Sequence, residues 1–450
     1  MKFFHISDLH IGKQLHYYNM KEDQRAILKQ IVERAEEYLP DAVLICGDIF
    51  DKSVPSGEAY TVFDEFLNEL ADTVPQIPVL MIAGNHDNPQ RLSYAKEFLE
   101  RHGFYLSVLP PQRPEECLKR VELTDEWGKV NFCLLPFTKP GYVRQLFEEG
   151  VITDYNSAIR ELLVREGLDR EHLNMEQADS RDTGENGADN RDAGGTGADS
   201  GHTDQEQPES GTRNVLLSHQ FYVNGTQQPE GCDSEQHIFQ VGGLNSVEVS
   251  LVEHFDYVAL GHIHGAQQVK SPHIRYCGTP LKYSVSEEHH EKSITLVTLG
   301  QKGTSPVIET IPLVPLRDVR REKGLLAEVL ARATEENCHD YISVTITDEK
   351  EPYHPMEQLQ EKYDSILELR VDNQRTRIMS ELPEAEEFQP DPMEVFRSFY
   401  REMRNQPMSP EEEAWMQKVL SREEAADGQQ SLSREEGAGE QQIVNQEELL

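Results

Sequence analysis

The chain is poor in basic charge. Its 450 residues carry 43 Lys and Arg against 81 Asp and Glu, a formal net charge of −38. So acidic a chain excludes unaided, non-specific binding of nucleic acid through a broad basic face, though not a small cationic site. No apolar run approaches the roughly 18 residues of a membrane-spanning helix, so no membrane association is expected. The stretch MKFFHISDLH reaches Asp8 before a secretory apolar region could develop. The expectation is a protein that is not exported and works in the cytoplasm. Cysteine is sparse: Cys46, Cys117, Cys133, Cys232, Cys277 and Cys338 are scattered, with no CxxC pair. That pattern argues for reduced thiols rather than a disulfide frame.

Two stretches lack apolar residues almost entirely. The first runs from about 174 to 213, repeats GAD, and holds ten acidic and two basic residues between Glu176 and Glu209. It cannot offset its ordering entropy by burial, so a disordered insertion is expected there, tolerated on the surface or, alternatively, regulatory. The second is the tail over 421–450, with eight acidic and two basic residues from Arg422 onward.

The chain as a whole is 37% hydrophobic, enough for a sizeable core, and long enough for two or three domains. Strand and helix patterns alternate. KFFHIS, DAVLIC, PVLMIA, VNFCLLPF, NVLLS and FDYVALG read as strands. EDQRAILKQIVERAEEYL, EAYTVFDEFLNEL and RLSYAKEFLERHG read as helices, the first with Ile27, Ile31, Ala35 and Tyr38 near a 3.6-residue period. SITLVTL and SPVIETIPL read as a closing strand pair. The alternation predicts an α/β layered core. After Pro315 a smaller α/β pattern follows: GLLAEVLARATEE, YISVTITD, PMEQLQEKY and ILELRVD. Then Phe396, Phe399, Tyr400 and Met403 make a helical apolar stripe, Ser409, Pro410 and Glu412 a helix start, and Trp415, Met416, Val419 and Leu420 a second stripe. These helices either pack on their own domain or dock on a partner; their aromatic and Met content favours docking.

Five of the predicted strands run into metal-binding residue types. FFHIS meets Asp8 and His10. VLIC meets Asp48, then Asp51. VLMI meets AGNHD, with Asn85, His86 and Asp87. VLLS meets His219, and VALG meets His262 and His264. Any one of these could be a turn. Five in order, each after an apolar strand, point to chemistry, because ligand sites in open α/β sheets lie beyond the carboxyl ends of strands. In Asp-x-His and His-x-His, an extended backbone would point both side chains the same way. Imidazole, carboxylate and amide donors suit manganese, iron or zinc. Seven donors are too many for one tetrahedral ion, and a pair about 3.5–4 Å apart is a known device for displacement at phosphorus. Two divalent ions on two carboxylates leave the site positive within an acidic chain, which favours a phosphodiester there and repels it elsewhere.

DLH, GDIFD, GNHD, SHQF and GHIH together resemble the ordered motifs of the calcineurin-like metallophosphoesterases. Within that superfamily the chain is similar to bacterial DNA-nuclease subunits and their archaeal and eukaryotic break-repair relatives. FDYVALGHIHG and YCGTPLKYSVSE add to the likeness, which spans about residues 1–420 without the acidic insertion. The resemblance implies a layered β-sandwich flanked by helices over 1–312. A small α/β capping domain would follow over 313–380, and partner-binding helices over 391–420. It implies one ion held by Asp8, His10, Asp48 and His264, with Asp48 bridging to a second held with Asn85, His219 and His262. The ions would be manganese. His86 would contact the scissile phosphate, oriented by Asp87. Lys13, His16 and Arg91 are candidate DNA contacts. The implied enzyme is a phosphodiester hydrolase, a double-strand exonuclease and single-strand or hairpin endonuclease. It would serve DNA repair, recombination and replication as a homodimer within a heterotetramer, gated by a coiled-coil ATPase. The alternatives are a stand-alone phosphoesterase acting on nucleotides or other phosphoesters, and an assembly protein with a lapsed site.

Overall fold

The computed structural model describes residues 1–74, 76–169, 211–235, 245–350, 352–381 and scattered positions between 393 and 417. The acidic insertion lies almost wholly outside the described residues, and the tail from 421 lies outside them too. Among the described residues no helix is long and apolar enough to cross a membrane.

Two six-stranded sheets carry the fold. In the first, Lys2–Ile6, Ala42–Cys46, Val79–Ile82 and Phe104–Ser107 run parallel, and the antiparallel pair Ser293–Thr298 and Val307–Pro312 completes it beside Lys2–Ile6. In the second, Gly128–Leu135, Arg213–Ser218, Tyr257–Leu260 and Ser271–Tyr276 run parallel, with one antiparallel strand at each edge, Lys119–Asp125 and Gln267–Val269. Central strands are continuous apolar runs because both faces are covered. Alternation sorts their side chains. Phe3, Leu44 and Leu80 meet Phe132, Val215 and Tyr257 between the sheets. Phe4, Val43, Ile45 and Met81 face the outer layer, where Ile27, Ile31 and Ala35 of helix Lys21–Tyr38 and Val62, Phe66 and Leu70 of helix Gly57–Thr73 cover them. Helix Tyr155–Arg165 contributes Ile159 and Leu162 to the outer face of the second sheet. Each such buried side chain contributes about 1.5–3 kcal/mol. The layered α/β core and the closing strand pair are as the sequence predicts.

At the end of the sandwich where Arg213–Ser218 begins, the sheets are tied by charge. Asp125 lies 2.5 Å from both the Met1 amine and Arg213. Arg213 also donates to the Gly300 carbonyl at 2.9 Å. Burial raises the Asp125 pKa, but the hydrogen bonds from Arg213 and the amine outweigh it and bring it down to about 2.

A third, all-parallel sheet of Val319–Gly324, Tyr341–Ile346 and Ser365–Val371 forms the smaller α/β unit around Val329, Ile342, Val344 and Leu359. Arg317 and Tyr341 clasp Asp23 of the first helix at 2.6 and 2.9 Å. Residues from 373 form a separate unit. In it the Ser409 amide and the Glu412 carboxylate, and the Glu412 amide and the Ser409 hydroxyl, pair reciprocally at 2.8 and 3.3 Å, as the helix-start pattern predicts. Phe396, Tyr400, Trp415 and Met416 line a cavity there. Phe399, Met403, Val419 and Leu420 lie outside the described residues.

One expected helix is broken. The segment 91–103 splits into Pro89–Leu92 and Lys96–Arg101, with Ala95 left-handed at φ 58°. The second piece has no fully buried side chain and meets the core only through the partly buried Leu99, a narrow apolar face for a continuous helix.

Candidate metal centre

The carboxyl ends of five parallel strands, three from the first sheet and two from the second, open on one rim. The loops that leave them do not stay extended. Asp8, His10, Asp48 and His262 have φ of 52°, 43°, 49° and 100°. Left-handed backbone at a side-chain-bearing residue costs about 1–3 kcal/mol and persists where surrounding structure enforces it. Asp and His tolerate it better than most. This corrects the extended-backbone argument for Asp-x-His: both residues turn inward through left-handed steps, and the His10 Nε2 still comes 3.9 Å from Asp8 Oδ1.

Close approach between the loops needs glycine. A Cβ on Gly84 would lie 2.1 Å from Asp48 Oδ1, and one on Gly261 would lie 1.9 Å from the Cys46 carbonyl. The motif glycines thus let loops of the first sheet seat against each other and let the two sheets meet. Backbone bonds fix the result: Asp8 N–H to Gly47 O at 3.0 Å and His10 N–H to Asp48 O at 2.9 Å. The His262 N–H donates to Asp8 Oδ2 at 2.9 Å, and the His86 N–H to Asp48 Oδ1 at 2.8 Å.

The structure draws Asp8, His10 and His264 into one group and Asp8, Asp48 and His219 into another, with the donor atoms of each within 4.8 Å of one another. Asp48 Oδ2 sits between, 3.3 Å from His219 Nε2 and 3.8 Å from His10 Nε2. Asn85 Oδ1 is 3.2 Å from His219 Nε2. The His262 ring stands 5.0 Å from that of His219 and is inclined 24° to the Phe137 ring, 6.1 Å away. All seven sequence-predicted donors therefore line one site.

Its electrostatics are lopsided. Burial raises Asp8 toward the protonated form. Burial also acts on Asp48, but His219 overrides it and holds that carboxyl well below the usual range. Burial pulls His219 down, yet Asp48 and Asp8 raise it to about 9. His264 is likewise lifted to about 10, against burial, by Cys232 and Glu287. Burial, helped by His219, lowers His262 to about 3, and burial lowers His10 well below the ordinary imidazole value. His10 is therefore neutral, 1% exposed, and neither ring nitrogen has a hydrogen-bond partner among the described residues. A buried nitrogen lone pair beside two carboxylates fits a cation. Together with the family assignment below, it supports divalent metal binding at this rim.

Supporting contacts set ring orientation. His219 Nδ1–H donates to the Cys46 carbonyl at 2.7 Å, which leaves Nε2 toward the carboxylates. His264 Nδ1 faces Glu287 at 3.4 Å, and its backbone N–H donates to Glu235. Glu287 is in turn held by Lys292 at 2.6 Å. Tyr283 donates to the Leu9 carbonyl and packs its ring edge-on to His10. Gln24 donates to the His10 carbonyl at 2.8 Å. Sequence reasoning does not single out Glu235, Glu287, Tyr283 or Gln24 for the site. None sits in a strand-end motif; only Tyr283 and Glu287 stand near one, in KYSVSE.

One expectation is corrected. Asp87 does not orient His86. Its carboxylate accepts the backbone N–H groups of Ile49, Phe50 and Gly84 at 3.1, 2.9 and 2.9 Å. It ties the loop after Cys46 to the loop after Ile82, and burial with the nearby Asp48 raises its pKa to about 6. His86 instead donates from Nδ1 to the Asp51 carbonyl at 2.8 Å. Asp51, which the sequence marks only as part of its motif, has its side chain 3.7 Å from His10 and 2.9 Å from Lys13. Lys13 is thus ion-paired at the rim, while His16 and Arg91 are exposed.

A family model for calcineurin-like phosphoesterases matches residues 1–266. A second, described as the type 5 capsule protein repressor C-terminal domain, matches residues 315–404. The chain is similar to the SbcD subunit of the SbcCD nuclease of Staphylococcus epidermidis, 27% identical over 423 residues, covering 94% of this chain and 98% of the relative. Among solved structures it resembles a dimetal phosphatase from Danio rerio, 11% identical with a TM-score of 0.34 over 70% of this chain and 97% of that one. It also resembles TT1561 of Thermus thermophilus, 10% identical with a TM-score of 0.33 over 69% and 98% of the two chains.

Proposed function

The chain belongs to the calcineurin-like phosphoesterase family, and from that premise we propose that it is the nuclease subunit of an SbcC–SbcD-type complex. It hydrolyses DNA phosphodiesters, as a double-strand exonuclease and a single-strand or hairpin endonuclease, in DNA repair, recombination and replication. Its partner is an SbcC-type coiled-coil ATPase, its place is the cytoplasm, and its assembly is a homodimer within a heterotetramer. The observation that carries the chemistry is the buried imidazole of His10 beside Asp8 and Asp48, whose ring nitrogens have no hydrogen-bond partner among the described residues. Support for the complex comes from the likeness to the staphylococcal protein, which runs through both matched regions.

Asp8, His10, Asp48 and His264 would hold one divalent ion, and Asp48, Asn85, His219 and His262 a second, with manganese fitting these oxygen and imidazole donors. Bound there, the ions supply Lewis acidity at the phosphoryl group and ease the ionisation of water. The chain's own residues do the rest. Asp48 holds the two halves of the site in register. His86, fixed through Nδ1 by the Asp51 carbonyl and through its amide by Asp48, keeps Nε2 for the phosphate, where with both ring nitrogens protonated it would either stabilise the transition state or give the Nε2 proton to the leaving oxygen and be left neutral. The small parallel sheet, clasped to the first helix through Asp23, caps the site beside DNA. The helices around Phe396, Tyr400 and Trp415 dock on the ATPase.

The test is cleavage of a labelled DNA hairpin with manganese, by the chain alone, with the ATPase and ATP, and as His86→Ala. The expected result is cutting that requires manganese and His86, with both metal positions still filled in His86→Ala. Hydrolysis of a small phosphodiester with no DNA cut in any mixture would move the protein to the stand-alone phosphoesterase reading. An emptied metal position in His86→Ala would overturn the role given to that residue.

A further inference from the structure

We propose that the small cavity walled by Asn85 and His262 receives the base of one nucleotide adjoining the scissile phosphate, which rests on the nuclease reading above. The cavity has a volume of about 230 Å³, room for one planar ring system rather than a whole nucleotide. Phe137, Tyr155 and Phe221 are among its lining residues. Phe137 and Tyr155 stand 6.3 Å apart at 45°, and the His262 imidazole lies at 24° to the Phe137 ring with centroids 6.1 Å apart. A base sliding against such a surface gains stacking whatever its identity, which suits an enzyme that does not read sequence.

Gln220 gives the pocket a polar anchor. It is 1% exposed, and its Nε2 donates to the Thr138 carbonyl at 3.2 Å. That bond commits the amide orientation and leaves Oε1, which has no hydrogen-bond partner among the described residues. A buried amide oxygen without a donor is rare in a folded protein, and Gln220 is one of the residues around this cavity. Every nucleobase offers a matching group, either an exocyclic amine or a ring N–H. Lys139 completes the set. It is exposed, makes no ion pair among the described residues, and its Nζ lies 6.0 Å from the Phe137 centroid. Its flexible stem can yield the ring face to a base and bring the ammonium to the next phosphate. None of Phe137, Tyr155, Gln220 or Lys139 has a part in the hydrolysis described above. Because Asn85 and His262 are shared between pocket and centre, a base seated here places its own phosphate at the rim.

The test uses the full chain with manganese and a set of single-stranded oligonucleotides, each with one abasic site, scanned across the cut position. The expected result is one position, adjoining the cut, where loss of the base lowers kcat/KM about tenfold. Phe137→Ala and Gln220→Leu should each lower kcat/KM on the intact strand by a similar factor, and in both the abasic penalty at that position should vanish. A scan in wild type with no sensitive position overturns the pocket while leaving the nuclease reading in place. So does a penalty that persists undiminished in Phe137→Ala. Hydrolysis of bis(p-nitrophenyl) phosphate without cutting of any intact oligonucleotide overturns both readings.

Discussion

The three loops leaving the first sheet carry Asp8, Asp48 and Asn85, all oxygen donors, together with His10 and His86. The two loops leaving the second carry only imidazoles, His219, His262 and His264. The first sheet thus brings the negative charge and the second brings nitrogen donors whose charge state the first dictates. Asp48 shows this most directly: across the gap it lifts His219 to about 9 against the pull of burial, while His219 drives Asp48 well below its usual range. Both donor groups described above, Asp8–His10–His264 and Asp8–Asp48–His219, draw on the two sheets together. The site is a property of the contact between them, and four perturbations, from strongest to weakest, would break or sharpen that contrast.

Asp48→Asn removes the carboxylate that both halves share. Cation content should fall at both positions and cleavage should drop roughly a thousandfold or more, equivalent to about 4 kcal/mol of barrier. Near-normal metal content by elemental analysis would mean the first sheet does not govern the site. Gly261→Ala attacks the contact itself, since its Cβ would meet the Cys46 carbonyl at 1.9 Å. Metal content and melting temperature should fall together, whereas Gly57→Ala, with open space around it, should change neither. An unperturbed Gly261→Ala would show the sheets can part without cost to the site.

Glu287→Gln tests the imidazole side. It removes the charge facing His264 Nδ1, and metal affinity should weaken about 10–100-fold by titration, with the fold intact. An effect as large as that of Asp48→Asn would erase the asymmetry. The smallest effect should come from the far end of the sandwich. The folded Asp125 pKa, about 2, lies below its ordinary 3.8, so its contribution is complete above about pH 4 and is lost as pH falls towards 2. With the carboxylate only 12% exposed, this is worth about 2 kcal/mol at neutral pH. Asp125→Asn should lower the melting temperature by several degrees at pH 7, with the gap to wild type closing near pH 2. A constant gap across that window would rule out charge as the tie.

Most of the sandwich is legible in the sequence because its parallel strands are buried on both faces and read as unbroken apolar runs. Two of the strands that escape are at edges. KRVELTD and VRREKG are mostly charged, and their side chains pair outward: Lys119 with Glu100, Arg320 with Asp340, Lys323 with Asp372. Nothing in their local pattern separates them from a solvated loop. Helix Tyr155–Arg165 announces itself only through its Asp154 cap and an apolar stripe shorter than that of helix Lys21–Tyr38. At the site, the residues that touch the rim sit in short motifs after strands and can be found. The ones that hold those residues, Glu235, Glu287 and Gln24, come from distant segments and are aligned only by the fold. Asp87 misleads because sequence adjacency to His86 suggests a pair, while the tight turn sends its carboxylate back to three backbone amides, two of them in another loop.

The left-handed steps at Asp8, His10, Asp48 and His262 limit how this centre could be transferred. A designer who copied the seven donors onto the regular strand ends of another scaffold would reproduce the residue list and lose the convergence, because a right-handed or extended backbone at those four positions aims the side chains elsewhere. The transferable object is the set of loops with their curled backbone, their glycines and the Asp87 brace. A faithful graft would have to import all of them.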